Sequence, residues 1–528
     1  MNTRQKSNRR SSGMLRLAVA AGLTTAALLA ADLTASAGER LVILHTNDTH
    51  SQIDPVGSNG LGGVLRRKAA IDSVRQAEKN VLLVDAGDAV QGSLFFYLYG
   101  GEVEQKVMNA LGVELGILGN HEFDNGIDSL ATILKMGNYQ KLATNYFLED
   151  SPLKGMFDPY TVKTYGGKRI GFMGLNLDPD GMISDGNARG VVYSDVIPSA
   201  NLTAKYLKDI EKVDAVVAIT HIGYNPENPP GDSLLAVSSK DIDIIIGGHS
   251  HTLIDPSTPT GARQSRMKNL DGEEVLVVQT GKSGSYLGKI EIDLDSLGLN
   301  GHKGYELIPL DSRFDSKKDP ELAALIEEYR PGVDSLMHKP VGFTREALPK
   351  TSIKELNYMA DFLFDRGTEL ADGIDFAIIN KGGLRTDLPK GPISKGDILN
   401  LLPFRNKIVV IDMKGSDLLP AFDAMSRTMG NGVSRQVYAE YDTTTFKATK
   451  VLVDRKPIDP NKTYRVATID YLAKGGDYLK TLRNGTLVAE SPDWVYDDII
   501  AYITRGKGRN KPFGNGPDKE RMVLKSGR

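Results

Sequence analysis

The sequence contains no cysteine, so no disulfide can staple it and no thiolate can bind a metal. Any metal site must be built from histidine, carboxylate and amide side chains. Histidine itself is scarce, with 8 in 528 residues. A block of like charge is missing as well: 64 basic residues nearly balance 67 acidic ones. That balance argues against a surface holding long nucleic acids through phosphate contacts. There is no internal repeat of solenoid period, no low-complexity segment and no C-terminal apolar tail. What remains, 40% hydrophobic and 25% charged, has the composition of an ordinary soluble protein. At 528 residues, two domains are expected.

One long hydrophobic run is present, at the N-terminus. Arg4, Lys6, Arg9, Arg10 and Arg16 flank or precede the apolar stretch from Leu17 to Ala31, and Ala35-Ser36-Ala37 offers small residues for cleavage. This is the pattern of a secretory signal peptide over residues 1–37, too short for a comfortable membrane span. No cysteine follows it, which excludes a lipoprotein anchor. Arg9-Arg10 precedes Ser-Ser-Gly rather than a bulky apolar residue, so it points only weakly to twin-arginine export. Removing the segment takes away five basic and one acidic residue and leaves a net charge of about −7. The expectation is a periplasmic or secreted protein with no stable membrane anchor, acting on small phosphate compounds.

Five apolar runs in the first half stop at side chains able to bind a divalent metal. Leu41 to Leu44 leads to Asp48 and His50, Val81 to Val84 to Asp88, and Leu115 to Leu118 to Asn120 and His121. Ala215 to Ile219 leads to His221, and Ile242 to Ile246 to His249 and His251. Such runs read as buried strands, and if they share one sheet their ends converge. Five of the 8 histidines lie at these ends, while His45, His302 and His338 have no such setting. Helical stretches from Leu61 to Glu78 and Ala200 to Lys212 alternate with the runs, as in a layered α/β domain.

Asp48 and His50 are two apart, so on a continuing strand they face one side and can clasp one ion. Asp88 follows a glycine and can share its two oxygens between ions. Asn120 offers a neutral oxygen, and His221, His249 and His251 offer imidazoles. Seven such ligands suit two ions with a common carboxylate better than one tetrahedral ion. Two ions ~4 Å apart can acidify a shared water toward pH ~7 and clamp an in-line displacement at phosphorus. The donor set accepts zinc or manganese, and also cobalt or iron.

The motifs Ile43-Leu44-His45-Thr46-Asn47-Asp48-Thr49-His50, Asp85-Ala86-Gly87-Asp88, Gly119-Asn120-His121-Glu122-Phe123-Asp124, Thr220-His221 and Gly247-Gly248-His249-Ser250-His251 resemble the ordered set of the 5′-nucleotidase family of calcineurin-like metallophosphoesterases. By that resemblance Asp48, His50, Asp88 and His251 bind one metal, and Asp88, Asn120, His221 and His249 the other. His121 is then the catalytic histidine, assisting at the phosphoryl group and leaving oxygen, with Asp124 orienting it. The implied fold is α/β throughout. It comprises a four-layer αββα sandwich over 38–315, a linking helix within 316–339 read as Pro320 to Met337, and a C-terminal α/β nucleotide-binding domain over 340–528.

In that second part, Asn380-Lys381-Gly382-Gly383-Leu384-Arg385, Leu402-Pro403-Phe404 and Tyr471-Leu472-Ala473-Lys474-Gly475-Gly476-Asp477 resemble the family's nucleotide-binding motifs. Phe404 and Tyr471 are candidates to clamp a base by stacking. Asp477 can accept from ribose hydroxyls, Arg385 can fork onto phosphate, Asn380 can meet the base edge, and Gly382 belongs to the same loop. Lys381 stands where the family has glycine, and Arg405 follows Phe404 where glycine is common. No arginine falls in the Ile353 to Asp361 stretch, where relatives bind substrate, leaving Lys354 or Arg345 to compensate.

The expected activity is phosphate release from nucleoside 5′-monophosphates, extending to UDP-sugars or other nucleotide anhydrides. A 2′,3′-cyclic-nucleotide 2′-phosphodiesterase with 3′-nucleotidase activity is the nearest alternative. A catalytically dead nucleotide-binding module is the alternative from another class.

Overall fold

The computed structural model describes residues 39–56, 60–184, 186–224, 230–256, 264–297, 304–350, 352–514 and 519–525. The expected signal peptide, His302 and most of the proline-rich loop after Tyr224 lie outside them.

Two six-stranded sheets occupy the first part. One runs in the order Tyr305–Pro309, Tyr286–Asp293, Arg40–Thr46, Asn80–Asp85, Leu115–Gly116, Gln140–Lys141. The other runs Arg266–Lys268, Glu274–Val278, Ile244–Ile246, Ala215–His221, Lys168–Asn176, Tyr160–Tyr165. The central strands are parallel, with Leu41 beside Asn80 and Ile244 beside Val217. Side chains alternate along each strand, and that alternation sets the layers. Leu41, Ile43, Leu82 and Val84 meet Val217, Ile219, Ile244 and Ile246 of the other sheet. Val42, Leu44 and Leu83 point outward onto helices Val64–Ala77, Glu102–Leu111 and Pro320–Met337. Val216, Ala218 and Ile245 face helices Val196–Asp209 and Asp232–Ser238. This is the expected four-layer αββα sandwich. Each strand is covered on both faces, hence the unbroken apolar runs, and each such side chain contributes about 1.5–3 kcal/mol on burial.

One expectation needs correction. The apolar runs do not share a sheet: Arg40–Thr46, Asn80–Asp85 and Leu115–Gly116 belong to the first, Ala215–His221 and Ile244–Ile246 to the second. Their ends still converge because the sheets stack face to face. The helices begin at Val64 and Val196 rather than at Leu61 and Ala200.

Helix Pro320–Met337 opens with the Asp319 side chain accepting from Leu322 N and proline in its first turn. Beyond it lies a five-stranded sheet, in the order Gly432–Val433, Phe376–Ile379, Thr463–Ile469, Lys407–Lys414, Thr486–Trp494. A four-stranded sheet joins it through a core containing Met359, Leu363, Phe376, Phe422 and Val466. Helix Ile353–Leu370 starts at Ser352, whose hydroxyl accepts from Glu355 N.

Candidate metal centre and substrate cavity

The first strand ends at Thr46, so Asp48 and His50 do not sit on a continuing strand as the sequence reading supposes. Both take left-handed backbone, each with φ 49°, as do Asp88 (φ 53°), His249 (φ 77°) and His251 (φ 55°). That conformation costs about 1–2 kcal/mol per non-glycine residue. Hydrogen bonds offset it. Asp48 N donates to Gly87 O (2.9 Å) and His50 N to Asp88 O (3.0 Å), fastening two loops together. The buried Glu122 carboxylate accepts from Asp88 N (3.1 Å), Ala89 N (2.9 Å) and Gly119 N (2.6 Å). Asn47 Nδ2 donates to Asp48 Oδ2 (2.6 Å) while its Oδ1 accepts from Thr280 N (2.9 Å). The sequence reading passes over Glu122 and Asn47, whose only signal is their place inside the motifs.

The motif glycines make room for these contacts. A Cβ at Gly87 would lie 2.6 Å from Gly119 N, and one at Gly248 would lie 2.7 Å from His221 Nδ1. Any larger residue would push the loops apart.

Two groups of metal-competent atoms result, Asp48 with His50 and His251, and Asp88 with His221 and His249. In the first, His50 Nε2 and His251 Nε2 face each other at 2.9 Å, and Asp48 Oδ1 is 3.4 Å from His251 Nε2. In the second, Asp88 Oδ2 is 3.2 Å from His221 Nε2, and Asn120 Oδ1 is 2.9 Å from His249 Nδ1. His221 Nδ1 donates to Ala86 O (2.7 Å), which turns Nε2 toward Asp88. A lone pair facing a carboxylate calls for a cation between them. A proton meets that need: burial opposes it, but Asp88 raises His221 to about 10. A divalent ion meets it equally. Burial and the His221 charge hold His249 neutral, down to about 3, while burial and Arg385 push His50 well below its ordinary value. Asp88 stays far below the usual carboxylate range because His221 and His121 outweigh burial. Neutral His50 and His249 beside ionised Asp88, with a divalent ion able to replace the proton on His221, form a donor set that fits divalent ions.

His121 is outside both groups. Its backbone N donates to Asp88 Oδ1 (2.9 Å) and its Nδ1 donates to Asp124 Oδ2 (3.0 Å). Burial opposes a charge on the ring, but Asp124 and Asp88 prevail and raise its pKa. The ring faces Phe404 at a centroid distance of 5.7 Å, and the Arg385 guanidinium lies 5.7 Å from the same Phe404 ring. Arg385 Nη2 also approaches His50 Nε2 (3.4 Å).

A cavity of about 200 Å³ joins these groups. Asp88, Asn120, His121, Asp124, His249 and His251 form one end, and Asn380, Gly382, Arg385, Phe404, Tyr471 and Asp477 the rest. Every substrate residue expected from the sequence lines it. Asp48, His50 and His221 lie beneath, outside the lining. Met182, Ser184, Asn187, Gly383, Arg405 and Asn406 also line it and were not foreseen as site residues. Lys354 and Arg345 do not reach the cavity. Lys354 pairs with Glu346 at 2.6 Å, and Arg345 is exposed. Lys381 points elsewhere too, donating to Met429 O (2.6 Å) just beyond helix Gly415–Arg427.

Comparison with known proteins agrees with this layout. A calcineurin-like phosphoesterase model matches residues 41–253, and a model of the 5′-nucleotidase C-terminal domain matches residues 340–484. The 5′-nucleotidase of Bos taurus is 28% identical, with 88% of this chain and 88% of that protein covered. A trifunctional nucleotide phosphoesterase of Bacillus subtilis is 28% identical over 83% of this chain, which spans only 32% of that protein. The solved 5′-nucleotidase precursor from Thermus thermophilus has a TM-score of 0.78 at 29% identity, covering 92% of this chain and 99% of its own. With both domain types matched in order on one chain and a relative of the same length and fold, the chain belongs to the 5′-nucleotidase family, a calcineurin-like phosphoesterase domain followed by a 5′-nucleotidase C-terminal domain.

Proposed function

We propose that the protein releases orthophosphate from nucleoside 5′-monophosphates, as a metal-dependent phosphoester hydrolase of nucleotide salvage. One observation carries this reading: both ligand groups' outer members, His121 and the Phe404, Tyr471 and Asp477 wall face a single cavity. We assign Asp48, His50, Asp88 and His251 to one divalent ion and Asp88, Asn120, His221 and His249 to a second, zinc or manganese by preference. Bound there, two ions would supply Lewis-acid charge at the phosphoryl oxygens and acidify water.

The chain's own groups do the rest. Phe404 and Tyr471 hold the base by stacking, Asn380 meets its edge beside Gly382, and Asp477 accepts from the ribose hydroxyls. Arg385 holds the phosphate. As the water oxygen bonds to phosphorus and the P–O5′ bond breaks, His121 gives its Nε2 proton to the departing O5′, while Asp124 fixes the ring. UDP-sugars and other anhydrides are the further substrates this arrangement supports. We place the domains at 38–315, 316–339 and 340–528, with 1–37 lost on export. Among the described residues no helix is long and apolar enough to cross a membrane.

A second reading, hydrolysis of 2′,3′-cyclic and 3′-nucleotides, is open to the same metal-competent groups, which act on phosphorus whichever ester the nucleoside carries, and the Bacillus subtilis relative is itself a nucleotide phosphoesterase of more than one function. Phosphate release from 5′-AMP, 3′-AMP and cyclic 2′,3′-AMP, before metal stripping, after it and after zinc or manganese is restored, separates the two. Metal-dependent turnover restricted to 5′-AMP supports the first reading. Turnover of the other two without 5′-AMP overturns it.

A further inference from the structure

Two buried polar side chains near the histidines have no role so far. Gln279 follows the strand Glu274–Val278, and Asp232 opens helix Asp232–Ser238. Both are fully buried, neither belongs to a ligand group and neither lines the cavity. The Gln279 amide fills every hydrogen-bonding position it has. Its Nε2 donates to Gly248 O (3.0 Å) and Asp232 Oδ2 (3.2 Å), and its Oε1 accepts from Thr252 N (3.0 Å) and Ser250 Oγ (3.2 Å).

Three of these partners, Gly248, Ser250 and Thr252, are the residues on either side of His249 and His251. One amide thus holds the loop at alternate residues, with a histidine between each pair of holds. The two histidines serve different groups: His249 Nδ1 is 2.9 Å from Asn120 Oδ1, and His251 Nε2 is 3.4 Å from Asp48 Oδ1. Asp232 reaches the strand of the third histidine. Its Oδ1 accepts from Thr220 Oγ1 (2.6 Å), next to His221, so both of its oxygens are engaged away from the ligand set. Backbone bonds close the circuit, from Asp232 N to Gly223 O (2.8 Å) and from Gly223 N to Gly248 O (3.1 Å). Gly247 leaves the space, since a Cβ there would lie 1.9 Å from Asp232 Oδ2 and 2.9 Å from Gln279 Nε2. A buried network with every group satisfied is rigid and costly to disturb.

We propose that Gln279, held by Asp232, is the positioning residue that sets the separation of the two divalent ions. The proposal rests on the two-ion reading above and adds to it the device that fixes the spacing. His249 and His251 contribute to different ions, so the distance between the ions follows the shape of the Gly247 to Thr252 loop. Both histidines take left-handed backbone, which a free loop would abandon. A clamp on phosphorus needs ions about 3.5–4 Å apart, and the shared Asp88 carboxylate alone does not hold two histidines to that distance. Partners behind metal ligands typically alter affinity or activity by about 10- to 100-fold when removed.

The test uses full-length protein stripped of metal and titrated with Mn(II), comparing the parent with Q279M, D232A and D232N, each checked by circular dichroism. Calorimetry gives the stepwise affinities. Electron paramagnetic resonance separates a spin-coupled Mn(II) pair from isolated ions, a signature that a mere loss of fold stability does not move. In Q279M the weaker binding step should lose affinity by about tenfold or more, the coupled spectrum should change, and kcat for 5′-AMP should fall while KM stays within about threefold. D232A should act in the same direction. D232N should restore the parent's behaviour, because its amide oxygen still accepts from Gln279 while the Thr220 hydroxyl turns to accept from its nitrogen. Both affinities within about twofold of the parent, with an unchanged spectrum in Q279M, overturn the proposal. If Q279M fails to fold, D232A and D232N decide by the same measures. A parent that takes up a single ion overturns the two-ion assignment and the proposal together. A parent that binds a coupled pair yet releases no phosphate from 5′-AMP sinks the nucleotidase reading alone, and the spectra of the variants still decide the role of Gln279.

Discussion

In the first part of the molecule, Asp48, Asp88, His221 and His249 lie at or within three residues of the ends of buried strands, and hydrogen bonds accepted by Glu122 and made by Asn47 lock the loops that carry Asp88 and Asp48. In the second part, Phe404 and Asp477 lie on loops and Tyr471 on the four-residue helix Asp470–Ala473. Their positions depend on the first part: Gly181 O accepts from Asp477 N (3.2 Å) and Tyr471 Oη (3.4 Å), while Phe404 faces His121. The ligands are therefore set by each sheet's own packing, and the nucleoside wall by contact between parts. Damage to the first part should appear in metal content and kcat, and damage to the second in KM.

The strongest test of that division is Asp88→Ala, which removes the carboxylate assigned to both ions. Turnover should fall below detection and metal content should drop from about two ions per chain to fewer than one. Full metal content would refute the shared role. Next in size, His121→Ala should lower kcat by about 10²–10⁴-fold while the bound metal stays in place. Loss of metal in that variant would blur the boundary between ligand and catalytic residue.

For the second part, Phe404→Ala and Tyr471→Ala should raise KM by about 5- to 150-fold each, the equivalent of about 1–3 kcal/mol of base stacking. The kcat should change far less. A larger loss in kcat than in KM would mean that Phe404 acts by steadying His121 and not by holding the base.

His45 tests the rigidity of the first part. Its ring is fully buried, stacks on Tyr305 at 5.8 Å, and has no hydrogen-bond partner at either nitrogen among the described residues. Burial pushes its pKa down to about 3. The folded value lies below the unfolded value of about 6.5, so below that pH the unfolded chain binds the extra proton. The stability that a neutral His45 provides is thus present above pH ~6.5 and lost as pH falls toward ~3. Between pH 7 and 5 the protein should lose about 2 kcal/mol more than His45→Leu does, read from denaturant unfolding of the two. Equal losses would mean that a proton reaches the ring without opening the sheet.

These residues also show where sequence reading ends. Strands covered on both faces leave unbroken apolar runs, so a polar residue just beyond each run stands out, and the seven expected ligands come together as two groups of three with Asn120 beside His249. Apolar runs report burial and not partners, so the division into two sheets was not legible. Nor was the left-handed backbone at Asp48 and His50, which the loops between sheets impose. The sequence pointed to Lys354 and Arg345 as stand-ins for a substrate arginine, and neither lines the cavity. Lys381, a departure from the family pattern, has a local explanation in its bond to Met429 O near a helix end.

The smallest expected effect lies at the junction itself. Asp180 of the first part pairs with Lys480 (3.1 Å) and Arg483 (2.8 Å) of the second, one residue from the Gly181 carbonyl that receives Tyr471 and Asp477. All three side chains are substantially exposed, so solvent screens the pairs and their combined worth is about 1 kcal/mol or less. Asp180→Asn should therefore raise KM by no more than about fivefold and leave kcat within about twofold. The difference from the parent should fade as ionic strength rises and the Debye length shrinks from about 10 Å at 0.1 M toward about 3 Å at 1 M. A change in KM that persists at high salt would shift the explanation from charge to the backbone at Gly181. The nucleoside wall would then depend on the shape of that loop, and the second part would be more firmly built than its loop-borne residues suggest.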